Sequence, residues 1–241
     1  MRKSTFAALL VAGAAVAACS RVHAEEAGPT VSRNYQVGDF QQIEVAGPYD
    51  VEVRTGANPS VSARGPQNLL SRTVVEVDGD KLLIRPERQK GWFHMGWSSH
   101  GSAKFVVTVP RLNGATIAGS GDIKVDRVQG DRFEGTVAGS GGINLGAVDV
   151  QSLKLSIAGS GGVRGAGKAQ AAEYDIAGSG DVDAGGVQVQ QAKVSIAGSG
   201  SVKAHAAGTA DVSIMGSGDV DITGGAKCSI SKAGSGNVRC S

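Results

Sequence analysis

From about residue 114 to the end of the chain, apolar and polar positions alternate with a period of two. The alternation restarts at a Gly-Ser-Gly triplet, whose first glycines are Gly119, Gly139, Gly159, Gly178, Gly198, Gly216 and Gly234. Aligned on that glycine, Ile117, Val137, Ile157, Ile176, Ile196 and Ile214 stand two positions before it. A second apolar column, from Ala115 to Ile230, stands four before, and a third, from Ile123 to Val238, four after. Period-two alternation is a strand with one buried face. A turn that returns every 18 to 20 residues makes each repeat one rung of a solenoid. The pattern predicts an all-β, single-domain parallel β-helix, with a strand before each turn and another after it. A weaker apolar column (Val128, Val148, Val187, Ala207) predicts a third face that closes the rung.

The polar columns agree with that register. Thr116, Thr136, Ser156, Asp175, Ser195, Ser213 and Ser231 form a nearly continuous hydroxyl ladder three positions before the triplet. Five before it, Glu134, Lys154, Glu173, Lys193 and Asp211 alternate in sign. Equivalent residues of adjacent parallel strands lie ~4.8 Å apart, so opposite charges in one column attract.

The amino-terminal half carries the same phrase in degraded form. Val45 to Val53 fits Ile117 to Val125 position for position, and Val61, Ala63 and Gly65 repeat it 18 residues later. Val75, Val77, Leu82 and Ile84 around Asp78-Gly79-Asp80 suggest a hairpin-like or irregular rung, and Phe105 to Val109 a strand ending at Pro110. The expected layout is a signal peptide over 1–18 (or 1–24), a linker over 19–37, and one β-helix domain over 38–241 with a loop insertion at 88–102. Such a domain would hold about ten rungs stacked at ~4.8 Å. The preference for right-handed parallel crossovers favours a right-handed coil.

These repeated Ala-Gly-Ser-Gly-Asp-Val turns, after a segment such as Val45 to Val53, resemble the bacterial family called putative auto-transporter adhesin, head GIN domain. The resemblance covers about residues 40–240. It implies a right-handed parallel β-helix of unknown molecular function. Unlike a true autotransporter, the chain shows no segment after the last rung that could form a translocating membrane barrel.

Composition adds location. Arg2 and Lys3 followed by an apolar run from Phe6 to Ala18 read as an export signal. The run is too short to span a bilayer. Two endings fit it: Val16-Ala17-Ala18-Cys19, a lipobox that would make Cys19 a lipidated mature N-terminus, or Val22-His23-Ala24, an ordinary signal-peptidase site. The expected location is the cell envelope, as an outer-membrane lipoprotein facing the periplasm or surface, or else as a soluble periplasmic or secreted protein. The full chain has 24 basic and 22 acidic residues. Without Arg2 and Lys3 the two signs balance, so no nucleic-acid partner is expected. Cys228 and Cys240 then remain in an oxidising compartment, at inward columns, and are expected to pair.

The chemistry-bearing motifs are weak. The triplet serines recur too often, and on strand turns, to be a nucleophile elbow. Gly162, Gly167 and Lys168 approach a phosphate loop, but Ala169 stands where Ser or Thr should follow. Asp122, Asp181 and Asp219 share a column that Gly142, Gly162 and Ser201 interrupt, which suits solvated turn aspartates better than calcium. No cofactor and no metal site are expected, and the chain is expected not to be an enzyme. The outlier is the loop from Arg88 to Ser102, which gathers Trp92, Phe93, His94 and Trp97 in a chain with only 4% aromatic residues. Arg88, Trp92, Phe93, His94 and Trp97 are the candidate ligand-binding residues. An envelope polysaccharide or protein surface is the expected partner class, and the loop as a lid on the core is the competing reading. A carbohydrate-active enzyme, lyase or hydrolase, on the same rod is the alternative function.

Overall fold

The structure, a computed structural model, describes residues 28–87 and 102–241. The regular part is built from five long strands, each making most of one turn: β9 (Asp122–Gly139), β10 (Gly142–Gly159), β11 (Gly162–Gly178), β12 (Asp181–Gly198) and β13 (Ser201–Gly216). Each pairs with the next in parallel. The result is a parallel β-solenoid of about 6 turns. The register matches the sequence columns: Val137 pairs with Ile157, Ile157 with Ile176, Ile176 with Ile196, and Ile196 with Ile214. Repeats of unequal length stay aligned because the register slips at the rung corners, between Leu145 and Val148, Arg164 and Ala166, and Ala184 and Gln188. That slippage corrects the third apolar column: in the short rung Ala206, paired with Val189, is buried, and Ala207 is exposed.

The turn chemistry explains the triplet. All seven first glycines have φ between +129° and +138°, a region that disfavours a Cβ. The turns also stack backbone on backbone. The N–H groups of Ser140 and Gly141 donate to the Gly119 carbonyl at 3.0 and 3.1 Å, and this pattern repeats at Ser160 and Gly161. The central serines point outward and are exposed.

The amino-terminal rungs are out of chain order. β2 (Gln42–Ala46) and β3 (Tyr49–Thr55) form a rung that lies beside β8 (Gly114–Gly119) and β9, with Val45 opposite Ile117 and Val53 opposite Val125. On its other side lie β6 (Lys81–Pro86) and β7 (Ala103–Val109). Beyond them the pairing turns antiparallel. β4 (Ser60–Pro66) runs against both β7 and β1 (Thr30–Tyr35), so residues 30–35 of the expected linker form a strand. β5 (Thr73–Asp78) makes the expected hairpin with β6. The short helix α1 (Gln67–Ser71) contributes the buried Leu69 and Leu70. The expectation of about ten rungs is corrected here. Val61 and Ala63 are buried as their alternation requires, but period-two patterning reports a buried face, not strand direction, and this segment has no Gly-Ser-Gly turn.

The core is a narrow stack of Val, Ile, Leu and Ala with a few aromatics. Tyr49 takes the place of the third turn glycine. It is fully buried, its hydroxyl 3.0 Å from Thr73 Oγ1 and its ring edge-on to Phe105. At the other end, β14 (Asp219–Thr223), β15 (Lys227–Ala233) and β16 (Val238–Cys240) form the last rung pairs, and a Cys228–Cys240 disulfide joins the two sides of the last rung. Cys228 extends the Ala192–Ala210 column and Cys240 the Ala204–Ile222 column. Lys232 stands where other rungs bury Ile, and its ammonium donates to the Gly236 carbonyl at 2.7 Å. A charge in an inward position blunts an open sheet edge.

Candidate functional site

The inward residues Val51, Ile123, Ile143 and Val163 are buried, so the residues between them must face solvent on the strand that follows each turn. Two outward columns result. The first runs Lys104, Asp50, Asp122, Gly142, Gly162, Asp181. The second runs Val106, Glu52, Lys124, Asn144, Arg164, Asp183. Together they line an open groove of about 720 Å³, with Ser140 and Ser160 on its turn side.

Two features mark this groove. First, the aspartate column is interrupted at Gly142 and Gly162: the Asp122 carboxylate leans over Gly142, its Oδ1 2.9 Å from where a Cβ would sit, and the backbone lies bare at Gly162. The interruption is not forced by φ: neither glycine is in the left-handed region, and a Cβ at Gly162 would meet only the Asp181 carbonyl at 3.7 Å. Second, among the described residues Lys124 and Arg164 make no ion pair and no side-chain hydrogen bond. Other column cations are engaged, although Lys203, further along the same column, is as free as these two among the described residues. Lys154 lies 3.3 Å from Glu173 and 3.5 Å from Asp175, Lys193 2.8 Å from Glu173, and Lys168 3.4 Å from Asp149. Glu52, the acid registered beside Lys124, is instead held by Arg54 at 2.9 Å.

The charge ladder five positions before the triplet centres on Glu173. Hydrogen bonding from Lys193, with Lys154 adding to it, holds the Glu173 carboxyl below the usual carboxylate range. The same carboxylate raises Lys154 and Lys193 above the usual lysine range. Glu134 and Asp211 share the column by register, yet among the described residues no ion pair joins them to it. Two of the column aspartates have local partners: Asp181, at the edge of the groove, accepts the Ser201 hydroxyl, and Asp219, beyond it, accepts the Asn237 N–H at 2.9 Å. Among the described residues no three His, Cys, Asp or Glu side chains are grouped to hold a metal ion.

Of the residues singled out from the sequence, Cys228 and Cys240 are brought together. Cys19 and the candidate binding residues Arg88, Trp92, Phe93, His94 and Trp97 lie outside the described residues. The ends of that loop are placed: Glu87 follows β6 and Ser102 precedes β7, where the neighbouring rung makes its turn at Gly47-Pro48. Its carboxyl end therefore meets Lys104 at one end of the groove. The groove itself was not singled out from the sequence. Its signal was present as the Gly142 and Gly162 breaks in the aspartate column, but a missing side chain reads as a weaker repeat until the register shows a surface around it.

The family model described as putative auto-transporter adhesin, head GIN domain, matches residues 39–226. Among solved structures, a putative adhesin from Bacteroides fragilis is similar with a TM-score of 0.76 at 22% identity, over 87% of this chain and 96% of its own. A putative lipid binding protein from Parabacteroides distasonis has a TM-score of 0.68 at 27% identity, over 88% of this chain and 97% of its own. A putative adhesin from the same species has a TM-score of 0.68 at 22% identity, over 88% and 96%. No curated protein matches the chain.

Proposed function

The chain belongs to the putative auto-transporter adhesin, head GIN domain family, and from that premise we propose that it is a non-catalytic binding module of the cell envelope. The observation that carries this reading is the groove. It is an open space of about 720 Å³ that sets the bare backbone at Gly162 beside Lys124 and Arg164, two cations without protein partners among the described residues. The adhesin names of two structural neighbours agree with it. The loop bearing Arg88, Trp92, Phe93, His94 and Trp97 belongs to the same reading, as a source of aromatic contacts beside the end of the groove.

The test is a screen of isolated envelope glycans and envelope proteins against the full-length protein with its native processing. Saturable binding to a component is expected; its absence across the screen overturns the reading. A second reading, a carbohydrate-active enzyme, has one observation in its favour: Asp50 and Asp122 stand on neighbouring rungs of the groove, a rung apart at ~4.8 Å. Incubating the same glycans and looking for new reducing or unsaturated ends separates the two.

Anchoring at Cys19 completes the proposal. Lipoproteins of this kind carry more than one acyl chain, which holds them firmly. Cys19→Ser is expected to move the protein from the membrane fraction into the soluble one. Mature protein that begins at Glu25 would instead establish the ordinary cleavage site.

A further inference from the structure

We infer that the middle of the groove is a subsite for one carboxylate-bearing sugar unit of a glycan, seated over Asn144 between Lys124 and Arg164. This rests on the binding reading above and names its ligand. The charge order along the rod is the first argument. Asp50 and Glu52 border the middle on one side, and Asp181 and Asp183 on the other. Between them the second column presents Lys124, Asn144 and Arg164 on three successive rungs. A basic centre with acidic borders favours a single anionic group. A continuous polyanion would lie across both borders and be repelled.

Reach and space are the second argument. Lys124 and Arg164 are two rungs apart, ~10 Å at the backbone. Both carry long side chains that can lean toward the amide between them, and neither is committed to a protein acid. Arg164 offers the planar donor fork that matches a carboxylate. Gly162, one column over from Arg164, leaves the backbone open, so a flat ring can lie close to the sheet there. In the other rungs an aspartate or serine side chain (Asp122, Asp181, Ser201, Asp219) occupies that position.

The borders are the third argument. The rung spacing of ~4.8 Å is close to the length of one sugar in an extended chain. The sugar on one side of the acidic one would therefore lie over Asp122, and the sugar on the other side over Gly162, a rung short of Asp181. The Asp122 carboxylate can accept hydroxyl donors from a neutral sugar, and the exposed Ser140 and Ser160 hydroxyls line the turn side. The arrangement suits a glycan in which acidic and neutral units are mixed, read across three rungs.

The experiment is a calorimetric titration of the natively processed full-length protein with a galactose trisaccharide whose central unit is galacturonate, with the neutral galactose trisaccharide, and with inorganic phosphate. The acidic trisaccharide is expected to bind saturably, and the neutral one at least about tenfold more weakly, as the loss of a charge-assisted contact implies. Phosphate alone is expected not to saturate. Gly162→Asp places in the gap the carboxylate that Asp181 carries one rung on, and is expected to weaken binding of the acidic trisaccharide by about tenfold or more. Gly162→Ser, which introduces the residue found at 201, is expected to stay within about threefold of the unaltered protein. The pair Lys124→Ser with Arg164→Ser is expected to abolish the difference between acidic and neutral sugars. Thermal melts of all variants check that the fold is kept. Equal binding of acidic and neutral sugars, saturable binding of phosphate alone, or a Gly162→Asp variant that binds normally would each overturn the inference. If the acidic trisaccharide fails while another envelope glycan binds, this inference falls and the binding reading stands. If nothing from the envelope binds, both fall.

Discussion

At Gly159 a β-carbon would lie 2.4 Å from the Gly139 carbonyl oxygen, on a backbone with φ of +130°. Gly162, three residues on, has neither constraint. The same residue type therefore does two jobs within one repeat: close approach of stacked turns at 159, open surface at 162. Gly159→Ala is expected to destabilise by about 2–4 kcal/mol, from left-handed strain and a displaced neighbour. A shift in the denaturant midpoint measures it, and a change within about 0.5 kcal/mol would mean that the turns are not stacked as described. Tyr174 shows a different residue-level economy. It is buried in the column of Leu155 and Val194, and its hydroxyl has no partner among the described residues. Burial alone pushes its phenol well above the usual range. Tyr174→Phe removes an unpaired polar group from the core and is expected to be neutral or stabilising by about 1 kcal/mol. A clear loss of stability would reveal a hydrogen bond to that hydroxyl. The sequence made the glycine columns visible. It could not say which glycines are compelled, because that depends on what the neighbouring rung presses against them.

Among the elements, β9 to β13 were legible because three signals agree in each: the triplet, the inward apolar columns and the outward charges. Those columns predicted the pairs seen in the register, from Ile123–Ile143 to Val202–Val220. β4 was misread as another rung because alternation survives reversal of the strand, and only the partner decides the direction. The charge ladder offers a direct check. Lys154→Glu puts a third acid beside Glu173 and Asp175, whereas Lys154→Ala only removes attraction. The Glu variant is expected to melt below the Ala variant, with a gap that shrinks as salt is raised. Equal melting temperatures at low salt would contradict the register. The sign with pH follows from Glu173. Its carboxyl is held down in the folded state, so its contribution is complete above the unfolded value of about 4.3. It is lost as the pH falls through the lower folded value. Glu173→Gln should therefore flatten the acid limb of the stability profile. The last rung depends on its covalent tie. With a sequence separation of 12 between Cys228 and Cys240, removing the disulfide by Cys228→Ser with Cys240→Ser is expected to cost about 3 kcal/mol. Free thiols in the denatured, non-reduced protein would show that the bond does not form.

Over the whole molecule, the solenoid and its family follow from the repeats; the functional surface does not. A repeat announces itself by what recurs, and the groove is marked by what fails to recur: the two side chains missing from the aspartate column at Gly142 and Gly162. The segment 88–102, the strongest departure in the sequence, ends at Ser102, two residues before Lys104 at one end of that groove. The central claim is that the rod holds an envelope polymer without altering it. The most direct test incubates the natively processed protein with polysaccharide isolated from its own envelope, and follows in one sample the bound fraction and the polymer length. The account predicts saturable binding, weakened by Gly162→Asp, with the length distribution unchanged after prolonged incubation. Progressive shortening of the polymer, or no saturable binding at all, would contradict it.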